Sequence, residues 1–186
     1  MKTIKAKKSL GQNFLIDEEA LSDIASSLEL AGKHVIEVGP GYGALTEYIL
    51  THHPATLDLV ELDTDMVEIL DERFMRTDTL PQIIWEEQSI LKTTPIALHH
   101  EDVLKFTPPY DDYSVIANIP YYITSPILFR FLYDLEQSPE AMIIMMQEEV
   151  GEKILEGRAK KPHHSYLSLA MELACEDIEI VRYVGR

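Results

Sequence analysis

His34-Val35-Ile36-Glu37-Val38-Gly39-Pro40-Gly41-Tyr42-Gly43-Ala44-Leu45 is the stretch on which the fold turns. Its opening, His34 to Val38, is a short, mainly apolar run with three β-branched side chains, and it reads as a buried strand. Three glycines then follow within Gly39 to Gly43. Residues without a Cβ tolerate positive φ and let a ligand come close to the backbone. Leu45 to Leu50 begins a helix. A strand, a glycine turn and a helix in this order open a nucleotide-binding α/β unit.

Working outward, the alternation continues. Upstream, Asp17 is placed to cap a helix with Glu18 and Glu19 in its first turn, where the helix dipole favours acids. Leu21, Ile24, Ala25 and Leu28 follow at helical spacing. Downstream, strands are expected at Thr56–Leu62, Ile96–His99, Tyr113–Ala117, Ala141–Met146 and Ile178–Val184. Helices are expected at Met66–Phe74, Ile127–Leu135, Glu148–Leu155 and Tyr166–Leu173. The polar stretch from Arg76 to Pro95 fits neither pattern. The whole predicts an α/β fold, a mostly parallel central sheet with helices on both faces. Ligands of such sheets bind beyond the carboxyl ends of the strands. The loops at 39–43, 62–65, 101–103 and 118–122 all follow expected strands and should converge on one edge.

A chain of 186 residues suits one domain, here 1–186, with residues 1–16 as a basic arm. The longest apolar run, Ala141 to Met146, is far short of the roughly 18 residues that cross a bilayer. No apolar core follows the opening lysines, so they do not form a secretory signal. Cys175 is alone and cannot make an internal disulfide, which points to a reduced, cytoplasmic setting. The net charge of −16 runs against a phosphate-gripping protein. Its distribution is uneven, however: residues 1–8 carry +4, residues 153–164 carry +3, and the rest carries −23. Lys5, Lys7 and Lys8 in the first patch, and Arg158, Lys160 and Lys161 in the second, are candidate RNA contacts. Two solvated patches on an acidic surface are the plainer reading of the same residues.

Glu61 lies 22 residues beyond Gly39 at the end of the next strand, where a carboxylate can accept both hydroxyls of a ribose. Asp102, after the third strand, can accept from an adenine amine. Gly39, Gly41 and Ala44 also satisfy the dinucleotide fingerprint, which leaves a nicotinamide enzyme open at this point. Glu37 adds negative charge beside the turn, which suits a sulfonium better than a pyrophosphate.

Asn118-Ile119-Pro120-Tyr121, at the end of the fourth strand, separates these alternatives. An exocyclic adenine amine is a poor nucleophile because its lone pair is delocalised into the ring. The Asn118 oxygen and a carbonyl of the Ile119-Pro120 segment can hold its N–H bonds and aim that lone pair at an incoming methyl. Pro120 stiffens the loop, and Tyr121 offers a face on which an extruded base stacks. This chemistry calls for no metal and no strong base. A nicotinamide oxidoreductase has no use for such a loop.

Together with Lys8-Ser-Leu-Gly-Gln-Asn-Phe-Leu15, Val35 to Thr46, Val60-Glu-Leu-Asp63, Asp102-Val-Leu104, Asn118 to Pro126 and Met146-Gln-Glu-Glu-Val150, these residues give a chain that resembles the small-subunit ribosomal RNA adenine dimethyltransferases. Relatives of that family include the macrolide-resistance methylases of large-subunit RNA. The resemblance implies a Rossmann-like class I fold that uses S-adenosyl-L-methionine. It implies that Asn13 and Leu15 close over the methionine end, with Gly39 and Gly41 at the cofactor, Glu61 on the ribose, and Asp102 with Val103 at the adenine. It places Asn118, Pro120 and Tyr121 on the target base, with Asn118 also among the residues that bind the cofactor. The implied reaction is dimethylation of the N6 of two adjacent adenines near the 3′ end of small-subunit RNA, on an immature small ribosomal subunit. A cytoplasmic monomer is expected. A large-subunit methylase and a non-catalytic ribosome assembly factor are the rival readings. Tyr122 departs from the asparagine or glutamine found in many members, and the 76–95 stretch is longer than usual. The family continues into a phenylalanine- and proline-rich motif, a last strand and a helical RNA-binding domain, and this chain ends at Gly185-Arg186 before them.

Overall fold

The computed structural model describes residues 17–76, 94–118, 121–156 and 165–184. Asp17 caps α1 (Glu18–Ser26), its carboxylate accepting from the Ala20 N–H at 3.1 Å. Then come β1 (His34–Val38), α2 (Ala44–Thr51), β2 (Thr56–Glu61) and α3 (Thr64–Leu70). The last of these widens into a π-helical turn, Asp71–Met75. Next are β3 (Ile96–His100), β4 (Ser114–Asn118), a single 3-10 turn at Tyr121–Ile123, and α4 (Thr124–Phe129) with its own π turn, Arg130–Asp134. β5 (Ala141–Met145), α5 (Glu148–Glu156) and α6 (Tyr166–Ala174) complete the order.

The five strands form one sheet in the order β3-β2-β1-β4-β5, every pairing parallel. Parallel neighbours need crossovers; helices supply them from β1 to β2, β2 to β3 and β4 to β5, while residues 101–113 pass from β3 to β4 without one. On one face Val35, Leu57, Leu59 and Ile116 pack against Leu21, Leu45, Ile49 and Leu70. On the other, Ile36, Val38, Val60, Val115 and Ala117 pack against Ile127 and Phe131. A third cluster joins Leu128, Ile154, Ala170 and Met171 beside Met142 and Ile144 of β5. Each fully buried aliphatic side chain contributes about 1.5–3 kcal/mol, so this alternation fixes strand register firmly. Carboxylates also enter the core, Asp58 among them. Asp58 is buried on the second face, where His99 Nε2 lies 2.6 Å from one oxygen and the Tyr110 hydroxyl donates to the other at 3.1 Å.

Among the described residues β3 and β5 are the outer strands, and β5 is half-buried along its whole length. The expected strand at Ile178–Val184 is absent: these residues pair with no strand among the described residues. Alternating side chains give a strand its pattern, but ladder partners make it one. The segment is held instead by Arg182, which bonds Asp23 and Glu19 of α1, and by Ile178 against the third cluster. No described helix is long and apolar enough to cross a membrane.

Candidate nucleotide and base site

The strand order reverses between β1 and β4, and that is where a doubly wound sheet opens a crevice. Val38 pairs with both Val60 of β2 and Ala117 of β4. Gly39 and Asn118 are therefore the next residues of adjacent strands, leaving the sheet side by side. Glu61 is in register with His100, so Asp102 leaves one strand further along the same edge. The structure thus brings Gly39, Gly41, Glu61, Asp102, Val103 and Asn118 to one rim of the sheet.

Gly39, Gly41 and Gly43 all have positive φ, at 68°, 60° and 85°. Gly43 has a second constraint, since a Cβ there would lie 2.4 Å from the Phe74 ring. The Gly39 N–H donates to the Val60 carbonyl at 3.0 Å, and the Gly43 N–H closes a turn onto Pro40 at 2.9 Å. Arg73 donates to the Tyr42 carbonyl and to Glu47. Both Arg73 and Phe74 come from the π turn after α3.

Glu61 is 7% exposed and accepts three backbone N–H bonds. Oε1 takes those of Leu62 and Asp63, both at 2.9 Å, and Oε2 takes that of Gly41 at 3.1 Å. Burial pushes its carboxyl above the usual range, and the three N–H bonds hold that rise back. A carboxylate has roughly four acceptor positions, so Oε2 keeps one for a ligand hydroxyl. Engaging both hydroxyls of a ribose requires the Gly41 N–H to yield its place.

Glu37 corrects an expectation. It is 1% exposed beneath the turn, accepts from the Thr46 hydroxyl at 2.6 Å, and is pushed up to about 8 by burial, with the neighbouring Glu61 adding to the rise. Burial thus disfavours its ionised form, which works against the negative charge that its position suggests.

Asp102 is half-buried, and its Oδ1 accepts from the Leu104 N–H at 3.0 Å, while Val103 is buried with the second core face. Asn118 is half-buried at the tip of β4. Tyr121 opens the 3-10 turn, and Tyr122 beside it is 67% exposed. Asn13, Leu15, Pro120, Lys5, Lys7, Lys8, Arg158, Lys160, Lys161 and the Tyr121 side chain lie outside the described residues. Sequence reading missed Thr46, Arg73 and Phe74 as supports of the glycine turn. Thr46 carries a local signal, a hydroxyl in the first helical turn after the glycines. Arg73 and Phe74 carry none.

A parallel sheet of this order, with a glycine turn and a buried strand-end carboxylate at its switch point, defines the Rossmann-like class I methyltransferase fold. The family described as ribosomal RNA adenine dimethylase matches residues 3–186, and the chain belongs to it. The ribosomal RNA small subunit methyltransferase A of Dehalococcoides mccartyi strain CBDB1 is 40% identical over 154 residues, covering 82% of this chain and 48% of that protein. Its namesake in Bacillus cytotoxicus is 38% identical over 182 residues, covering 97% of this chain and 58% of its own. The chain therefore spans about half the length of the curated relatives it matches. Among solved structures, the 23S rRNA methyltransferase ErmE is 27% identical with a TM-score of 0.60 over 76% of this chain and 50% of that one. A dimethyladenosine transferase from Plasmodium falciparum shares the fold, at 22% identity and a TM-score of 0.67 over 87% of this chain and 52% of that one.

Proposed function

We propose that this chain carries the catalytic site of an enzyme that transfers methyl groups from S-adenosyl-L-methionine to the N6 of two adjacent adenines near the 3′ end of small-subunit ribosomal RNA. The observation that supports it best is the register of β1 and β4, in which Gly39 and Asn118 leave neighbouring strands together. A donor seated on the glycine turn and a base held by the Asn118 loop would then face each other.

The donor set suits the cofactor. Left-handed glycines let its carbon skeleton lie against the backbone, and the open position on Glu61 Oε2 suits a ribose hydroxyl. Asp102 and Val103 flank the place for its adenine, the first by an acceptor and the second by apolar contact. Asn13 and Leu15 are assigned to its methionine end. Bound there, S-adenosylmethionine supplies an activated methyl on a sulfonium, so the protein needs only to orient the acceptor.

That orientation falls to Asn118. Its side-chain oxygen accepts one N–H of the adenine amine, a carbonyl of the following loop accepts the other, and the nitrogen lone pair is turned towards the methyl. Pro120 fixes the loop and Tyr121 stacks the base. With the cofactor bound, the C–N bond would form as the sulfur–methyl bond broke to leave S-adenosylhomocysteine, and the proton shed by the alkylated nitrogen would pass to solvent. The basic clusters Lys5, Lys7, Lys8 and Arg158, Lys160, Lys161 contact RNA phosphate. The small-subunit target rests on the 38–40% identity to proteins of that name.

The test is to incubate the protein with methyl-labelled S-adenosylmethionine and unmethylated small or large subunits, then map the label by mass. Two adjacent dimethylated adenines in small-subunit RNA are expected. Label confined to large-subunit RNA would transfer the reading to the other branch of the family.

A further inference from the structure

We propose that Glu37 and Thr46 are a positioning pair, a buried hydrogen bond across the base of the glycine turn that sets its shape for the cofactor; the inference rests on reading the turn as an S-adenosylmethionine site.

Glu37 is the penultimate residue of β1 and Thr46 lies in the first turn of α2. The two residues are 1% and 0% exposed, and Thr46 Oγ1 donates to Glu37 Oε2 at 2.6 Å. Between them runs the whole turn, with its three positive-φ glycines. Glycine is the residue that loses most conformational freedom on ordering, so a turn built of three needs fixed ends. The other fastenings act along its length: Glu61 on the Gly41 N–H, Arg73 on the Tyr42 carbonyl, Phe74 beneath Gly43. The Glu37–Thr46 bond ties the strand that enters the turn to the helix that leaves it.

A carboxyl suits this task because of where it sits. Glu37 shares the face of the sheet that packs against Leu45 and Ile49. No cation pairs with it among the described residues, and Glu61 is the charged group near it. An ionised carboxylate there would be opposed by burial and by its neighbour. Glu37 therefore acts through its hydrogen bond and shape rather than as a counter-charge to the sulfonium.

The experiment compares the parent protein with Glu37→Gln, Thr46→Val and Thr46→Ser. Calorimetry follows S-adenosylmethionine, which is cationic at sulfur, and S-adenosylhomocysteine, which is not. Hydrogen exchange follows the Gly41 and Gly43 amides. Glu37→Gln keeps an acceptor of the same shape and should leave both affinities within about threefold. Thr46→Val should weaken both ligands equally, by about tenfold, the scale of one lost buried hydrogen bond. It should also speed exchange at both glycines by about tenfold, and Thr46→Ser should restore affinity and exchange. A Glu37→Gln protein that loses S-adenosylmethionine tenfold more than S-adenosylhomocysteine would overturn the proposal, because charge would then be the working property. Unchanged glycine exchange in Thr46→Val would overturn it from the other side. Should Thr46→Val fail to fold, the isosteric Glu37→Gln decides through the ratio of the two ligands. If the parent binds neither ligand, the cofactor reading falls, and glycine exchange still decides whether the pair holds the turn.

Discussion

The two halves of the crevice are built differently. On the β1–β2 side the glycine turn is stitched in place by Val60, Glu61, Arg73, Phe74 and the Glu37–Thr46 bond. On the β4 side, neither the Asn118 side chain nor the buried Thr124 hydroxyl finds a hydrogen-bond partner among the described residues, and Tyr122 stands 67% exposed. One half is already tied together at many points, with a single acceptor position open on Glu61, while the other has described polar groups still to be matched. A small cofactor of fixed shape rewards a rigid seat, whereas a base drawn out of RNA needs a loop whose bonds are free to receive it.

The contrast can be broken by substitution. Asn118→Ala should cut methyl transfer about 100- to 1,000-fold, the scale for one lost orienting or charge-stabilising group. Calorimetric affinity for S-adenosylmethionine should stay within about twofold, and a parallel fall in affinity would mean the halves are not separable. Gly43→Ala meets the Phe74 ring and an unfavourable φ at once, so it should destabilise by about 2–3 kcal/mol. Calorimetric melting would register that as a drop of very roughly 5–10 °C; an unchanged midpoint would show the turn is looser than its contacts suggest. Glu61→Ala should weaken the cofactor by about tenfold with kcat at saturation nearly unchanged, and a loss confined to kcat would reassign the residue to the base half.

The smallest effect concerns pH. Glu37 binds its proton more tightly folded, at about 8, than unfolded. Its contribution to stability is thus complete below the ordinary carboxyl range near 4.5 and is lost as pH climbs towards 8. Glu61, also raised, acts in the same sense. Melting temperature should fall by a few degrees between about pH 5 and 8, and Glu37→Gln should flatten that slope. A steeper slope in the variant would contradict the burial argument.

How much of this was legible beforehand depended on whether the cause was local. β1, β2 and β4 announce themselves because strands buried on both faces are short, mainly apolar runs, and half-buried β5 shares that composition. Glu61 was found because strand, turn, helix and strand have a nearly fixed combined length. Asp17 was found because a cap acts within one helical turn. Arg73 and Phe74 were not found, since a π turn re-aims them at the glycines and nothing in residues 71–75 signals the extra residue. The burial that works against a charge on Glu37 was not legible, because depth is something a linear sequence does not carry. Ile178–Val184 has the composition of a strand but no described neighbour to complete it.

The outer margin of the sheet carries a last consequence. β5 presents Ala141, Met142, Ile143, Ile144 and Met145 with no lysine, proline or acid among them, the kind of border along which separate molecules zip together. The chain carries a net charge of −16, and the mutual repulsion of such copies reaches only about 8 Å in physiological salt and about 3 Å at 1 M. Colloidal stability of this protein should therefore decline as salt rises, with clumping beginning at that border.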